Sequence, residues 1–414
     1  VQVTTAEELK YELAKAFKIA ISGRMGPVLI DVPMDIQQLD VGEELILPED
    51  VLLDEIAPFK EELKAKLLKF FEGSERPLVL FGAGVGLADQ QKTLISWIND
   101  NNLPFVTSWN GMNFIDSSEP GYYGNIGVYG NRGANFILQS CDKLLVLGSR
   151  LDNRQRGNVQ KFAPLSDILV LDIDEEELNK HKGDINYDTF LFDFRNSPEI
   201  FNNLQLNSHI NKDWRTYCKS MKDIYFDKWP SSSSIKYNSL SPYDFVRKVN
   251  DLIKDDAIVT VDDGANLCWV YQAFNRTKQT IYTAGGNSPM GYSFPASIGA
   301  SIHSPKSQVI SFTGDGSIQM CMQELQTMSH HKLPIKLFIL NNFGYGIIKQ
   351  FQDTWFESRY AATGEGYSQP NFKLIAEAYN LKYVRIEKLE DLVIEDLDSS
   401  LGIVFDVILH PNTL

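Results

Sequence analysis

The sequence predicts an α/β protein with two doubly wound parallel-sheet domains and the remnant of a third, consisting of one helix and one strand. Short apolar strands alternate with amphipathic helical stretches along two segments, which is typical of parallel sheets covered by helices. The chain has 414 residues, more than one ordinary hydrophobic core holds. We therefore divide it into the remnant at 1–40, a linker at 41–60, a central domain at 61–205, a second linker at 206–240 and a third domain at 241–414.

Hydrophobic periodicity places the individual elements. Residues 6–21 predict a helix because Leu9, Leu13 and Phe17 lie on one stripe, and Gly26-Pro27 then precedes a predicted buried strand at 28–32. Further helices are expected at 60–72, 90–99 and 132–141. The predicted strands are 77–81, 143–147 and 167–171 in the central domain and 257–261, 309–312, 335–340, 383–386 and 403–409 in the third.

Composition argues against several classes of protein. A formal charge of −15 disfavours binding to nucleic acid, which needs a basic face. The sequence contains no run of 18 apolar residues, so no membrane span is expected, and its first residues lack the layout of a signal peptide. Its four cysteines lie far apart and form no CxxC pair, which disfavours disulfides and a zinc site. A reducing compartment, the cytoplasm, fits best.

The most informative pattern joins Gly314-Asp315-Gly316-Ser317 to Asn341-Asn342. Each motif directly follows a predicted strand. The helix predicted between them carries its apolar positions on one face, at Ile318, Cys321, Met322, Leu325 and Met328. A right-handed crossover then brings Asp315 and Asn342 to the same carboxyl edge of the sheet, where ligands of such sheets bind.

The residue types at this edge suit a metal ion and a diphosphate. Gly314 and Gly316 allow close approach of the backbone to a phosphate, and a helix beginning at Ser317 would direct amide groups toward it. Mg²⁺ prefers about six oxygen ligands, which it shares with substrate phosphates. Asp315 and Asn342 supply suitable oxygens. Two plain turns are the structural alternative, but the combination and its spacing favour the metal site.

This pattern resembles the signature of the thiamine-diphosphate enzymes. The surrounding segments 286–296 and 341–352 are similar to the acetolactate synthase catalytic subunit, and segment 26–33 resembles the strand that closes that family's first domain. The resemblance covers essentially the whole chain. It implies that 1–40 is the C-terminal remnant of a pyrimidine-binding domain that is otherwise missing, 61–205 a central Rossmann-like domain, and 241–414 the diphosphate-binding domain for thiamine diphosphate and Mg²⁺.

The resemblance also implies a role for individual residues. The metal ligands would be Asp315, Asn342 and the carbonyl group of Gly344. Met290 would be the apolar wedge that bends thiamine diphosphate, although a lone methionine is more often ordinary core. The expected contacts of the cofactor are Gly264, Asn266, Ser288, Met290, Gly314, Gly316, Ser317, Asn342, Gly344, Gly346 and Ile347.

Three departures from the synthase pattern leave the substrate open. Segment 264–269 stands where synthases usually carry a Gln-His-Gln run, Phe351 stands where a tryptophan is usual at the substrate entrance, and the chain ends without the tail that covers the synthase site. We expect decarboxylation of a pyruvate-like 2-oxo acid with carboligation. The alternatives are a related 2-oxo-acid decarboxylase or ligase of another pathway and a non-catalytic cofactor-binding subunit.

A second glycine pattern follows the predicted strand 77–81. Gly82, Ala83 and Gly84 begin an incomplete dinucleotide fingerprint, for which a structural tight turn is an equal alternative. The central domain of the synthases holds FAD, and the matching positions here are Gly82, Ala83, Gly84, Arg150, Asp152, Arg154 and Asp172. FAD is therefore a second expected cofactor at even odds. A flavin or nicotinamide oxidoreductase is the rival function from another class.

The resemblance further implies a homodimer or homotetramer with its active site between subunits. The glutamate that activates the cofactor would lie upstream of segment 26–33 and outside this chain. We therefore expect residues 1–414 to hold the cofactor without turnover.

Overall fold

The computed structural model describes residues 1–42, 61–180, 183, 187–206, 211–225 and 238–413. The greater part of the predicted linker 41–60, and residues 207–210 and 226–237 of the predicted linker 206–240, lie outside the described residues. Among the helices of the described ranges, none combines the length and the apolar character needed to cross a bilayer.

Two parallel sheets of six strands form the framework, and they confirm the predicted α/β class. The first has the strand order β3-β2-β1-β4-β5-β6, and the second has the order β11-β12-β10-β9-β7-β8. The strands of the first sheet are β1 Pro77–Phe81, β2 Phe105–Thr107, β3 Tyr122–Asn125, β4 Lys143–Leu147, β5 Asp167–Asp172 and β6 Tyr187–Leu191. Those of the second are β7 Ile258–Val261, β8 Thr280–Thr283, β9 Val309–Gly314, β10 Lys336–Asn341, β11 Lys382–Ile386 and β12 Ile403–Ile408.

Helices precede and connect the strands, as expected for parallel crossovers. The α-helices of the first half are Ala6–Ala20, Met34–Gln37, Glu62–Phe71, Ala83–Leu87, Gln91–Asp100, Arg132–Ser140, Asn153–Arg156, Glu175–Lys180, Ser197–Phe201 and Lys212–Tyr225. Those of the second half are Pro242–Leu252, Ala265–Ala273, Ser293–His303, Asp315–Ile318, Leu325–His330, Gly346–Trp355, Phe372–Ala378 and Ile394–Asp398. Short 3-10 helices are Asn110–Phe114, Val159–Lys161, Phe194–Asn196, Met322–Glu324 and Leu389–Asp391.

Each sheet separates two hydrophobic cores. In the first sheet Val79 and Phe81 face one core, and Leu78 and Leu80 face the other. The strands are buried on both faces because helices cover both sides, which explains their nearly continuous apolar sequences. In each sheet the chain reverses its direction of winding between two neighbouring strands, β1 and β4 in the first and β7 and β9 in the second. Clefts for ligands open at such switch points.

The two sheets are joined by hydrogen bonds between their units. The Asn125 side chain donates to the carbonyl of Tyr271 at 2.8 Å, and the Gln272 side chain donates to the carbonyl of Tyr129 at 2.9 Å. The amide of Ile281 donates to the side chain of Asn113 at 2.8 Å. The exact division of the chain into domains stays a prediction.

Three local predictions were wrong. Residues 28–32 form no strand: Asp31 makes a single bridge with Gln2, and Leu29 is 84% exposed because no neighbouring strand covers it. The helix expected after Ser317 begins earlier, at Asp315, and is interrupted between Ile318 and Leu325. Within the predicted connection 206–240, Lys212–Tyr225 is a helix whose Trp214 and Cys218 are buried against the central domain.

Candidate functional site

Asp315 lies at the carboxyl end of β9, where the first turn of a four-residue helix begins. Its side chain is 1% exposed. Oδ2 accepts a hydrogen bond from the amide of Gly344 at 3.0 Å and another from the hydroxyl of Tyr367 at 2.7 Å. Burial raises the pKa of Asp315 to about 6, while these hydrogen bonds oppose the rise. Every one of these donors is neutral, so the carboxylate receives no opposite charge from them.

The second motif turns away from β10 in a left-handed step. Asn341 ends the strand, its side chain donates to Asp406 at 2.9 Å, and its side-chain oxygen accepts from the amide of Phe343 at 3.3 Å. Phe343 has a φ of +56°. The side-chain nitrogen of Asn342 donates to the carbonyl of Thr413 at 3.2 Å, so its amide oxygen remains the acceptor of that side chain. The turn therefore places Asn342 and Gly344 beside Asp315.

Close packing explains the glycines of this turn. A Cβ atom on Gly344 would lie 2.5 Å from the carbonyl oxygen of Thr363, and one on Gly346 would lie 2.9 Å from the side-chain nitrogen of Asn342. A Cβ atom on Gly316 would lie 2.3 Å from the ring of Tyr345. Any larger residue would force the backbone of the turn away from its neighbours.

The end of β7 adds a third segment to the same edge. Gly264 has a φ of +113°, and the Asn266 side chain donates to the carbonyl of Asp262 at 2.7 Å. A Cβ atom on Gly314 would lie 3.3 Å from Oδ1 of Asn266, so these two predicted cofactor contacts are neighbours. The Ser317 hydroxyl lies 3.5 Å from the carbonyl of Asp263.

The predicted wedge residue, Met290, is half-buried in a loop that reaches both units. Ser288 accepts a hydrogen bond from the guanidinium of Arg154, which also donates to the carbonyl of Gly285 at 3.2 Å. On the other side of Met290, the amide of Gly291 donates to Asp262 at 3.0 Å. The structure thus brings the loop of Met290 to the strand ends that carry the two motifs.

The donor set fits a hard divalent cation. It combines a buried carboxylate lacking a charged donor, a side-chain amide oxygen and the carbonyl group of Gly344, which are all oxygens of the kind that Mg²⁺ prefers. The described residues contain no group of three or more His, Cys, Asp or Glu side chains placed to hold a metal. A metal ion at Asp315 would therefore need further oxygens from the ligand itself.

A cavity of about 600 Å³ opens beside this edge, between the third domain and the central domain. Gly346 and Ile347 line one wall, and Tyr129 and Arg132 of the central domain line another. Phe351, at the predicted substrate entrance, also lines this cavity and is 54% exposed.

A second cavity, of about 560 Å³, lies at the switch point of the first sheet. Five of the seven predicted flavin contacts line it, namely Ala83, Gly84, Arg150, Asp152 and Asp172, whereas Gly82 and Arg154 do not. A Cβ atom on Gly82 would lie 2.2 Å from the carbonyl oxygen of Gly148, and one on Gly86 would lie 2.3 Å from the ring of Phe114. Packing alone therefore accounts for two glycines of this run.

Sequence reasoning missed several residues that shape the site. Asp262 could have been found by the argument applied to Asp315, because it also follows a strand end directly. Tyr367 could not, since it lies 52 residues after Asp315 in a loop. Thr363, Asp406 and Thr413 likewise act through contacts between distant segments.

Comparisons with known proteins agree with this geometry. Residues 262–401 match the family described as "Thiamine pyrophosphate enzyme, C-terminal TPP binding domain", and residues 65–188 match "Thiamine pyrophosphate enzyme, central domain". The chain is 30% identical over 416 residues to the acetolactate synthase isozyme 2 large subunit of Escherichia coli, with 99% of this chain and 72% of that protein covered.

Two further relatives have the same level of identity. The acetolactate synthase large subunit of Lactococcus lactis is 30% identical over 94% of this chain and 67% of its own length. The probable acetolactate synthase large subunit of Methanocaldococcus jannaschii is 30% identical over 98% of this chain and 71% of its own length. The chain thus belongs to the thiamine pyrophosphate enzyme family, in the branch of the acetolactate synthase large subunits.

Proposed function

We propose that this protein is a thiamine-diphosphate-dependent enzyme that decarboxylates a pyruvate-like 2-oxo acid and joins the remaining fragment to a second carbonyl compound. The observation that carries the proposal is the contact between Asp315 and the amide of Gly344, which unites the two motifs at one strand edge. The large subunits of acetolactate synthase to which the chain is similar support the same reaction class.

The residues of this edge divide the task of holding the cofactor. Asp315, Asn342 and the carbonyl group of Gly344 would hold Mg²⁺, and the backbone at Gly264, Gly314, Gly316 and Gly346 would meet the diphosphate, together with Asn266, Ser288, Ser317 and Ile347. Met290 would support the bent cofactor. Thiamine diphosphate, when bound, supplies the electron sink that decarboxylation requires.

The cavity between the two domains would receive the 2-oxo acid. It adjoins Gly346 and Ile347, so a substrate within it lies next to the proposed diphosphate site. Arg132 in its wall offers a positive charge for the carboxylate of the substrate. Closure of this cavity by the aromatic rings of Phe351 and Trp355 would exclude water.

The decisive experiment is mass spectrometry of the products formed from pyruvate by the intact protein with Mg²⁺ and thiamine diphosphate. We expect a carboligation product. Release of the aldehyde alone would favour the related decarboxylase, and cofactor binding with no product even in the full assembly would favour a non-catalytic subunit.

We also propose that the cavity of the first sheet binds FAD without redox use. Its position at the switch point and the lining by Arg150 and Asp172 support this proposal. An absorbance spectrum of the purified protein and the thermal shift on adding FAD or ADP test it. The absence of both signals would contradict it.

The assembly proposed here is a homodimer or homotetramer with the active site between subunits, as implied by the relatives. The cytoplasm is the proposed location, supported by four buried free cysteines. Light scattering of the purified protein tests the assembly.

A further inference from the structure

Asp262 occupies a central position that neither motif explains. It directly follows β7, and its amide donates to the carbonyl of Phe312 in β9 at 2.9 Å. Its side chain is fully buried between β7, β9 and the loop that carries Met290. This is the switch point of the second sheet.

The carboxylate of Asp262 accepts four hydrogen bonds. Oδ1 accepts from the amides of Gly291 at 3.0 Å and Tyr292 at 3.3 Å. Oδ2 accepts from the hydroxyls of Ser293 at 3.1 Å and Thr313 at 3.0 Å. An ionised carboxylate is the side chain best suited to this arrangement, because it has two oxygens and no donor.

These four bonds link two parts of the proposed cofactor site. Three of them hold residues 291–293, which follow Met290 directly, and the fourth holds Thr313, which precedes Gly314 and Asp315. Gly291 has a φ of +82°, and a Cβ atom there would lie 2.8 Å from Cβ of Met320, so the loop is tightly seated at this point.

We propose that Asp262 is a positioning residue that fixes Met290 relative to the turn carrying Gly314 and Asp315. The inference rests on the proposed function, since it assigns Asp262 to the same cofactor. β9 is paired on both sides, with β7 and β10, so the diphosphate turn keeps its place without Asp262. The loop of Met290 lies outside the strands, so its place depends on the hydrogen bonds to Asp262.

The test compares two ligands by calorimetry with the 414-residue chain. Thiamine diphosphate with Mg²⁺ needs both the diphosphate turn and the loop of Met290, whereas inorganic diphosphate with Mg²⁺ needs only the turn. We expect Asp262→Ala to weaken the binding of thiamine diphosphate about tenfold and that of inorganic diphosphate less than about twofold. Asp262→Asn retains one accepting oxygen, so its selective loss should be smaller, about threefold.

The matched control is Asp142→Ala. Asp142 also accepts from two amides and a hydroxyl, those of Glu75, Arg76 and Ser74, but lies in the central domain. This variant should leave the ratio of the two affinities unchanged. Equal losses for both ligands in the Asp262 variants, or an unchanged affinity for thiamine diphosphate, would overturn the inference. If Asp262→Ala does not fold, the ratio measured for Asp262→Asn decides.

The failure of the proposed function would be visible separately. It would appear in the unsubstituted chain as a lack of thiamine diphosphate binding, whereas the failure of this inference appears only in the ratio of affinities among the variants.

Discussion

The hydroxyl group of Tyr367 donates a 2.7 Å hydrogen bond to Oδ2 of Asp315, the same oxygen that accepts from the amide of Gly344. Both donors act on one oxygen, so Oδ1 is the oxygen left for a metal ion. The ring of Tyr367 also packs edge-on against Tyr345, with 5.0 Å between the ring centroids. The loop around Tyr367 thereby orients the proposed metal ligand.

Tyr367→Phe should weaken Mg²⁺ affinity about tenfold, since partners that orient a metal ligand contribute on this scale. The ring and its packing are retained, so the melting temperature should change little. Titration of Mg²⁺ in the presence of thiamine diphosphate measures the effect. Tyr360→Phe, which removes a tyrosine hydroxyl bonded to the exposed Asp353, is the control and should bind as before. An unchanged Mg²⁺ affinity in Tyr367→Phe would refute the orienting role.

Asp315→Ala should abolish Mg²⁺-dependent binding of thiamine diphosphate, because it removes the charged member of the proposed ligand set. Calorimetry with both ligands present checks this prediction. Asp223→Ala, in which an exposed partner of Lys219 is lost, should bind normally. Retention of full affinity in Asp315→Ala would show that the metal ion binds elsewhere.

Asn341→Asp should destabilise the fold by about 3 kcal/mol, because a second buried carboxylate would face Asp406 without compensation. Urea denaturation followed by fluorescence gives the free energy of unfolding. The control is Asn99→Asp, which creates the same type of pair with Glu119 at the surface and should cost less than about 1 kcal/mol. Similar losses in both variants would argue against a special role for the buried pair.

Gly344→Ala should weaken Mg²⁺-dependent binding and cost about 1–3 kcal/mol of stability, since its Cβ atom would lie 2.5 Å from the carbonyl oxygen of Thr363. Gly364→Ala is a close control, because nothing lies within 4 Å of a Cβ atom there. Thermal unfolding and Mg²⁺ titration of the two variants should separate clearly. Equal behaviour would mean that the turn at Gly344 can relax without consequence.

Hydrophobic pattern was sufficient to predict the buried central strands. β1, β4, β9, β10 and β12 were recognised because each is a short apolar run between turn residues. β2, β3, β6 and β8 were missed. Tyr122–Asn125 and Thr280–Thr283 contain polar residues, and they form strands because a neighbouring strand is available to pair with them.

The candidate site divides in the same way. Asp315 and Asn342 follow from strand ends, so the sequence was enough to bring them together. The partners of these residues were not predictable, because Tyr367, Asp406 and Thr413 come from segments whose proximity depends on the complete fold. Segment 28–32 was overestimated because its apolar composition carries no information about whether a partner strand exists.

The hydrogen bonds that Asn125, Gln272 and Arg154 make across the two units bear on how this chain can be dissected. Several of the acceptors are main-chain carbonyls, and Asn125 is buried. Separate expression of either half would leave these groups unpaired on a newly exposed apolar surface, which is a recipe for aggregation. The two sheets should therefore behave as a single cooperative folding unit and are poor candidates for modular exchange between relatives.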